Sequence, residues 1–458
     1  MINLSLEKAA EITGGKLCGV KEGEGRAITS IVSDSRKVVP GALFLCIKGK
    51  KADGHDFASK ALNAGASACL MERKVRGYRG AYILVDSVKE GAQALAEYIR
   101  KSLDLTVVAV TGSVGKTTTK EFIAAVLSKA YKVHKTEGNF NNEWGIPFTI
   151  FDIDKSDEAA VIEVGVDNYG QMENYVRMVR PDIAVITNIG ESHLENFKTR
   201  DGIYKEKSGI FRYMDQNGCV ILNGDDDILS RVTSIKGMSP VFFGEDKGNA
   251  VRAENIKDHG FDGIEFDIAV RDGGGKMSFH VNLPICGIHM IYAALAAACV
   301  GMKMNIPPVL IKAGLESVKC IPGHNDIIKT DKYVIMNDCY NASPRSVMAS
   351  LDSLKSAQGR KVAILGDMLE LGDDWDKYHY QVGKKAGEDN IDLIICVGTL
   401  SEKTYMGARM STDNPVEYYK TVKECMAALP GLLYIGDTIL VKASHAMGFE
   451  AIVDMLSK

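Results

Sequence analysis

None of the ten cysteines stands in a CxxC pair; they are scattered from Cys18 to Cys425. That spacing signals neither a zinc ribbon nor a disulfide framework, and cysteine used as a small buried apolar residue fits a reducing cytoplasm. A basic excess is missing too. The net charge of −4 argues against a nucleic-acid partner, which needs a clustered basic face. The opening "MINLSLEKAAEITGG" has no apolar h-region, so it reads as a short amphipathic helix and not as a signal peptide. A membrane span is also lacking. Leu283 to Met302, "LPICGIHMIYAALAAACVGM", carries no Asp, Glu, Lys or Arg, and a span needs about 20 apolar residues. Pro284, Gly287 and His289 break its first third, however, leaving a short Ala-rich core helix. Internal repeats and low-complexity tracts are absent.

What is present is ordinary for a globular α/β protein: 46% hydrophobic and 25% charged residues over 458 positions. That length is too great for one core and suggests about three domains. Residues 1–103 hold short strands in "ITSIVSDSRKVVPGALFLCIKG", one helix in "HDFASKALNAGASACLM", then "AYILVDS" and the helix "VKEGAQALAEYIRKSL". They form a small α/β domain.

Residues 104–317 open on "LTVVAV" and continue with strand-like runs at Ala160–Val164, Ile183–Thr187, Cys219–Leu222 and Val241–Phe243. Helical patterns between the early runs indicate a parallel sheet with crossover helices. "IEFDIAV" and "KMSFHVNL", separated by "RDGGG", read as an antiparallel hairpin, and the Ala-rich helix closes the unit. Residues 318–458 alternate again through "YVIMND", "KVAILGD", "LIICVG" and "TILVKAS", which predicts a doubly wound, Rossmann-like sheet with sites at the strand carboxyl ends.

The chemistry starts at "TGSVGKTTTKEF", Thr111 to Phe122, between a strand and a helix. The eight-residue phosphate-loop pattern G-x-x-x-x-G-K-[ST] needs glycine six residues before Lys116, and Val110 stands there. The working parts remain. Gly112 and Gly115 permit the turn, the backbone from Gly112 through Ser113, Val114 and Thr118 supplies N–H groups, Lys116 brings charge, and Thr117 offers a hydroxyl for Mg²⁺. Glu163 ends the next buried strand, where a carboxylate could serve Mg²⁺, and His193 follows the strand after that.

These segments resemble the Mur ligase family, which builds the peptidoglycan stem peptide. The short G-x-x-G-K-T-T loop is similar to that family's, which accounts for Val110. "KTEGNFNNEWGIP" (Lys135–Pro147), "NIGESHLENF", "DCYNASP" (Asp338–Pro344), "LGDMLELG" (Leu365–Gly372) and "SDSRKVVPGALFLCIKGKKADGHDF" carry the likeness along nearly the whole chain, in order. The resemblance implies a UDP-sugar-binding first domain, a central ATPase domain with a P-loop, and a third domain closing over the nucleotide. It implies ATP-driven amide formation between UDP-N-acetylmuramoyl-tripeptide and D-alanyl-D-alanine through an acyl phosphate, by a cytoplasmic monomer using two Mg²⁺ ions. Carried over in the same way, Thr117 and Glu163 hold one Mg²⁺ and His193 helps to hold the second. Lys207 in "KSGIF" matches a lysine carbamylated by CO₂, with Lys205 the weaker candidate. Asp34, Ser35 and Arg36, with Asn139, Asn141 and Asn142, contact the UDP-sugar substrate. Asp338, Tyr340 and Asn341 face the nucleotide, with Asp338 near ribose.

Four positions depart from the family's pattern. Ala293 stands where an adenine-reading asparagine is expected, His324 and His445 where arginines are expected, and Gly209 where glutamate is common. Histidine is mostly neutral at pH 7 and lacks arginine's planar fork. Three readings follow: a working ligase whose other residues compensate, a paralogue with another amino-acid substrate, or a UDP-sugar-binding protein without turnover. Folylpolyglutamate synthetase shares the central fold but does not explain the "SDSRK…DGHDF" domain.

Overall fold

The run "TVVAVT" has β-branched residues at nearly every position, and all but its first residue are buried, as suits the interior of a parallel sheet. It lies at the centre of the chain's largest sheet in a computed structural model that describes residues 2–20, 27–272 and 275–458.

The first domain is a five-stranded sheet of β1 (Lys16–Cys18), β2 (Ser30–Val32), β3 (Ala42–Leu45), β4 (Ala68–Met71) and β5 (Tyr82–Leu84), in the order β1-β5-β4-β3-β2. Only β1 runs antiparallel to its neighbour. The N-terminal helix expected from the sequence spans Leu6–Thr13, with Ser5 as its N-cap and Gly14, at φ 62°, ending it.

Nine strands make the second sheet. They are β6 (Thr106–Thr111), β7 (Val133–Lys135), β8 (Ala159–Glu163), β9 (Ile183–Ile186), β10 (Cys219–Asn223), β11 (Val241–Gly244), β12 (Val251–Asp258), β13 (Ile264–Asp272) and β14 (Gly275–Leu283). Their order is β14-β13-β12-β11-β10-β9-β6-β8-β7, parallel from β7 to β12 and antiparallel beyond. The sequence-predicted hairpin is β13–β14, in register from Ile264↔Leu283 to Asp272↔Gly275; Gly273 and Gly274 of its turn lie outside the described residues.

Helix α1 (Lys116–Leu127) leaves the Gly112–Gly115 turn, α2 (Arg200–Lys207) follows β9, and α3 (Met290–Lys303) is the Ala-rich helix. Small residues let α3 come close: a Cβ on Gly301 would sit 2.9 Å from Val126 of α1. Because Gly301 and Val126 both lie near their helices' carboxyl ends, α1 and α3 run parallel and present their N-termini on the same side. Among the described residues no helix is long and apolar enough to cross a membrane. One reading needs refinement. Where the sequence suggested a single closing helix, Asn305 at φ 57° and Pro307 stop α3, and a second helix, α4 (Pro308–Leu315), completes the unit.

The third sheet comprises β15 (Asp326–Lys329), β16 (Val334–Asn337), β17 (Lys361–Gly366), β18 (Leu393–Val397), β19 (Val416–Tyr419) and β20 (Thr438–Lys442), ordered β15-β16-β20-β17-β18-β19. All but β15 are parallel, which is the doubly wound arrangement read from the alternation.

Candidate active site

Val110 explains itself first. It is a fully buried residue of β6, paired with Glu163 of β8 and Val185 of β9, so the turn begins only at Gly112. Gly112 has φ 151°, and a Cβ there would lie 1.9 Å from Thr187 Oγ1. Gly115 has φ 80° and caps the N-terminus of α1. The loop is tied down by the segment after β9. Ser113 N donates to Asn188 O (3.0 Å), Val114 N to Asn188 Oδ1 (3.1 Å), and Asn188 Nδ2 to Val114 O (2.9 Å). Lys116 Nζ folds back to Gly112 O (3.0 Å) and Ser113 O (3.3 Å). Burial holds its pKa below that of an ordinary lysine, with Glu163 acting the other way.

A cavity of about 880 Å³ opens over this loop, between the carboxyl ends of the central strands and the third domain. Of the sequence-predicted residues, Ser113–Thr118, Asn139, Asn141, Asn142, Glu163, His193, Asp338, Tyr340 and Asn341 line it. Asp34, Ser35 and Arg36 do not, and neither Gly112 nor Lys207 is among its lining residues. Arg36 is exposed and engages Asp34 through Nε (3.0 Å) and Nη2 (2.7 Å), which holds the Asp34 carboxyl down at about 2.

Glu163 is 1% exposed. Asn141 Nδ2 donates to its Oε1 at 2.8 Å, while its Oε2 is buried without a hydrogen-bond partner. The neighbouring cation is Lys120 of α1, 4.0 Å from Oε2, whose Nζ donates to Thr136 O at 2.7 Å. Thr136 Oγ1 in turn accepts from Glu163 N (3.0 Å). A buried carboxylate oxygen with an empty lone-pair side beside a phosphate loop is a donor set that suits a hard divalent cation. Thr117 lines the same space.

Lys207 ends α2, is 1% exposed, and its Nζ has no partner. Burial, then the charge of Lys116, push its pKa well below the usual lysine range; Glu206 opposes them. Glu206 is occupied elsewhere, accepting from Gly170 N (2.9 Å) and Met172 N (2.7 Å). Burial thus disfavours the charged form of the Lys207 amine, and the neutral form is the one that can react with CO₂. His193 sits at φ 60°, a conformation rarely taken by a residue other than glycine, and its Nδ1 lies 2.7 Å from Glu370 Oε2 of the third domain.

The four departures have local accounts. A Cβ on Gly209 would come within 3.0 Å of Met172 Cγ, so methionine fills the place a glutamate would take. Ala293 is buried in the first turn of α3 and gives the cavity a methyl group. His324 and His445 flank Tyr340, with ring centroids 4.4 and 5.7 Å away. Burial lowers the His324 pKa to about 4, so it is a neutral ring where a charge was expected. His445 is exposed and 3.0 Å from Glu450.

Sequence reasoning missed several residues. Asp338 is held by Ser350 Oγ (2.6 Å), by the Lys442 ammonium and by Asn325 N (3.3 Å). Lys442 carried a signal: a charge inside the apolar strand "TILVK", which must find a partner when buried. Lys120 carried a weaker one, standing one turn beyond the loop. Asn325 and His289 carried none, because only the fold brings them together.

Comparison with known proteins agrees along the whole chain. Residues 27–103 match the "Mur ligase family, catalytic domain", 110–301 the "Mur ligase middle domain", and 326–445 the "Mur ligase, glutamate ligase domain". A UDP-N-acetylmuramoyl-tripeptide–D-alanyl-D-alanine ligase of Bacillus subtilis is 36% identical, over 99% of this chain and 98% of its own. The crystal structure of MurF from Acinetobacter baumannii superposes with a TM-score of 0.90 at 29% identity, covering 100% of this chain and 99% of that one. MurF ligase from Thermotoga maritima in complex with ADP superposes at 0.82 with 28% identity, covering 94% and 97%. With three domain matches in order, a full-length relative above 30% identity and solved structures that superpose along nearly its whole length, this chain belongs to the Mur ligase family.

Proposed function

We propose that this protein joins D-alanyl-D-alanine to UDP-N-acetylmuramoyl-tripeptide, driven by cleavage of ATP to ADP and phosphate, in peptidoglycan precursor synthesis. The observation that carries the reading is the P-loop lysine beside Glu163 and Lys207, two buried ionisable groups that each keep an atom without a hydrogen-bond partner. The full-length likeness to ligases of that name supports the choice of substrates.

The terminal carboxylate of the UDP-sugar peptide attacks the γ-phosphate, forming an acyl phosphate and releasing ADP. The amine of D-alanyl-D-alanine then attacks the activated carbonyl, and the tetrahedral intermediate expels phosphate. For this chain the work is chiefly positioning and charge neutralisation. Lys116 exchanges the carbonyls of Gly112 and Ser113 for phosphoryl oxygens, and the N–H groups of the Ser113–Thr118 loop, at the N-terminus of α1, face the same anion. Thr117 and Glu163 would hold one Mg²⁺, and His193 with a carbamate on Lys207 the second; such ions, when bound, neutralise charge on the transferring oxygens. In its neutral form the Lys207 amine would attack CO₂ and release a proton, becoming the carbamate anion that site needs. Asp338 and Asn341 serve the nucleotide, while Asn139, Asn141, Asn142 and the Asp34–Arg36 loop serve the UDP-sugar. Domains 1–103, 104–317 and 318–458 act together in a cytoplasmic monomer, for which ten unpaired cysteines are suited.

The test is ADP release by the purified protein with ATP, Mg²⁺ and UDP-N-acetylmuramoyl-tripeptide, with and without D-alanyl-D-alanine. Turnover requiring both substrates, with a pentapeptide product by mass, is expected. Measurable UDP-sugar binding without turnover would overturn the ligase and leave a binding protein.

A further inference from the structure

The parallel pair α1 and α3 sets a ruler across the cavity. Packed helices lie about 8–10 Å apart, so a triphosphate seated on the N-terminus of α1 carries its base over the N-terminus of α3. That second position is built for a flat ring with one hydrogen-bonding edge. Its floor is the methyl of Ala293, and one wall is the His324–Tyr340 ring pair, inclined at 36°. Asn325 stands beside them, 3% exposed. Its Nδ2 lies 2.8 Å from His289 Nε2, and its Oδ1 is buried without a partner. The His289 ring is itself fixed, because it packs where a Cβ on Gly287 would be, 2.6 Å from Cε1. Burial keeps that ring neutral, so Nε2 can accept from the amide.

We propose that Asn325 selects the base: its Oδ1 accepts a hydrogen bond from the exocyclic amine of a 6-aminopurine lying over the N-terminus of α3, with His289 fixing the amide's orientation. An oxo group at the same ring position would set two acceptors against each other and leave the buried Oδ1 unpaired. The inference rests on the reading of the protein as a user of ATP. It goes beyond that reading in assigning base discrimination to a residue outside the P-loop and outside α3.

Asn325 also has φ 52°, a conformation asparagine tolerates, so its backbone role must be separated from its side chain's. Asn325→Gly keeps the conformation and removes only the amide. The experiment compares ATP with ITP in the ligation assay, and ADP with IDP by calorimetry, for the wild type, Asn325→Gly and His289→Gln. The wild type should prefer the adenine nucleotide by about 10- to 100-fold. Asn325→Gly should reduce that ratio to within about threefold by weakening the adenine nucleotide alone, and His289→Gln should narrow it partly.

Equal use of ATP and ITP by the wild type would overturn the proposal. So would a preference for the inosine nucleotide, or an equal loss with both nucleotides in Asn325→Gly, which marks a purely structural residue. If no triphosphate supports turnover, the ligase reading fails, and the ADP-against-IDP binding ratio still decides the role of Asn325.

Discussion

The two ends of the cavity treat buried charge in opposite ways. At the Lys116 end, Glu163 of the lining keeps one oxygen and Lys207, outside the lining, its whole amine without a hydrogen-bond partner, though both are 1% exposed. On the third-domain wall, Asp338 is also buried, at 8% exposed, but it is saturated by Ser350, Lys442 and Asn325. Buried polar groups normally complete their hydrogen bonds, because leaving one empty costs about 1–3 kcal/mol. The saturated cluster therefore holds the wall in shape. Under the proposed function, the incomplete one is where bound ions would supply what the protein leaves out.

Breaking the incomplete end should cost activity and leave stability nearly unchanged. Lys116→Met should lower kcat/KM by about 10³-fold or more, since it removes charge neutralisation from a transferring phosphoryl group. Its thermal unfolding should stay close to wild type, measured by calorimetry. Breaking the saturated end should cost stability first. Lys442→Met strands the Asp338 carboxylate, and loss of one partner from a buried pair costs about 3–5 kcal/mol; urea unfolding reads this directly.

Lys207→Ala should lose about 10²-fold in rate, and the comparison sharpens with CO₂. Wild-type activity should fall in CO₂-depleted buffer and recover with bicarbonate, while the variant responds to neither. A wild type indifferent to CO₂ would leave Lys207 a plain buried amine.

His324 predicts a smaller, pH-dependent effect. Its folded pKa of about 4 lies below the value near 6.5 of an unfolded histidine. Between those values the unfolded chain binds more protons, so stability rises with pH and is lost as pH falls from about 6.5 to about 4. One such group contributes a slope of up to about 1.4 kcal/mol per pH unit, and His324→Phe should remove that share from unfolding curves taken across the window. Least of all, Arg36→Ala should leave stability unchanged within about 0.5 kcal/mol, as for an exposed ion pair. If the Asp34–Arg36 loop holds the UDP-sugar, the variant should still raise the KM for that substrate alone.

How far the sequence could be read depended on the kind of signal. The phosphate loop was legible because its glycines, lysine and threonine are bound by local geometry, and Val110 proved to be a strand residue and no defect in the motif. The three α/β units were legible from alternating apolar runs, since each parallel strand must be buried on both faces. The split of the Ala-rich segment was legible only in Pro307 and Pro308, which stop a helix; the apolar character continues on both sides, and the positive φ of Asn305 shows only in the structure. The histidines at 324 and 445 read as lost charges in the sequence; in the fold they bracket Tyr340 as rings.

By itself the sequence determined the three-unit α/β architecture and the glycine-rich loop, because periodicity and turn chemistry act between near neighbours; Glu163 and His193 stood out by their places after strands, and Lys207 only through the family resemblance. Only the tertiary structure decided which charges are satisfied and which are not. Lys442 reaches Asp338 across 104 residues, and Asn325 reaches His289 across 36. A hydrogen bond is made or missed within a few tenths of an ångström, and no local pattern carries that information across such separations.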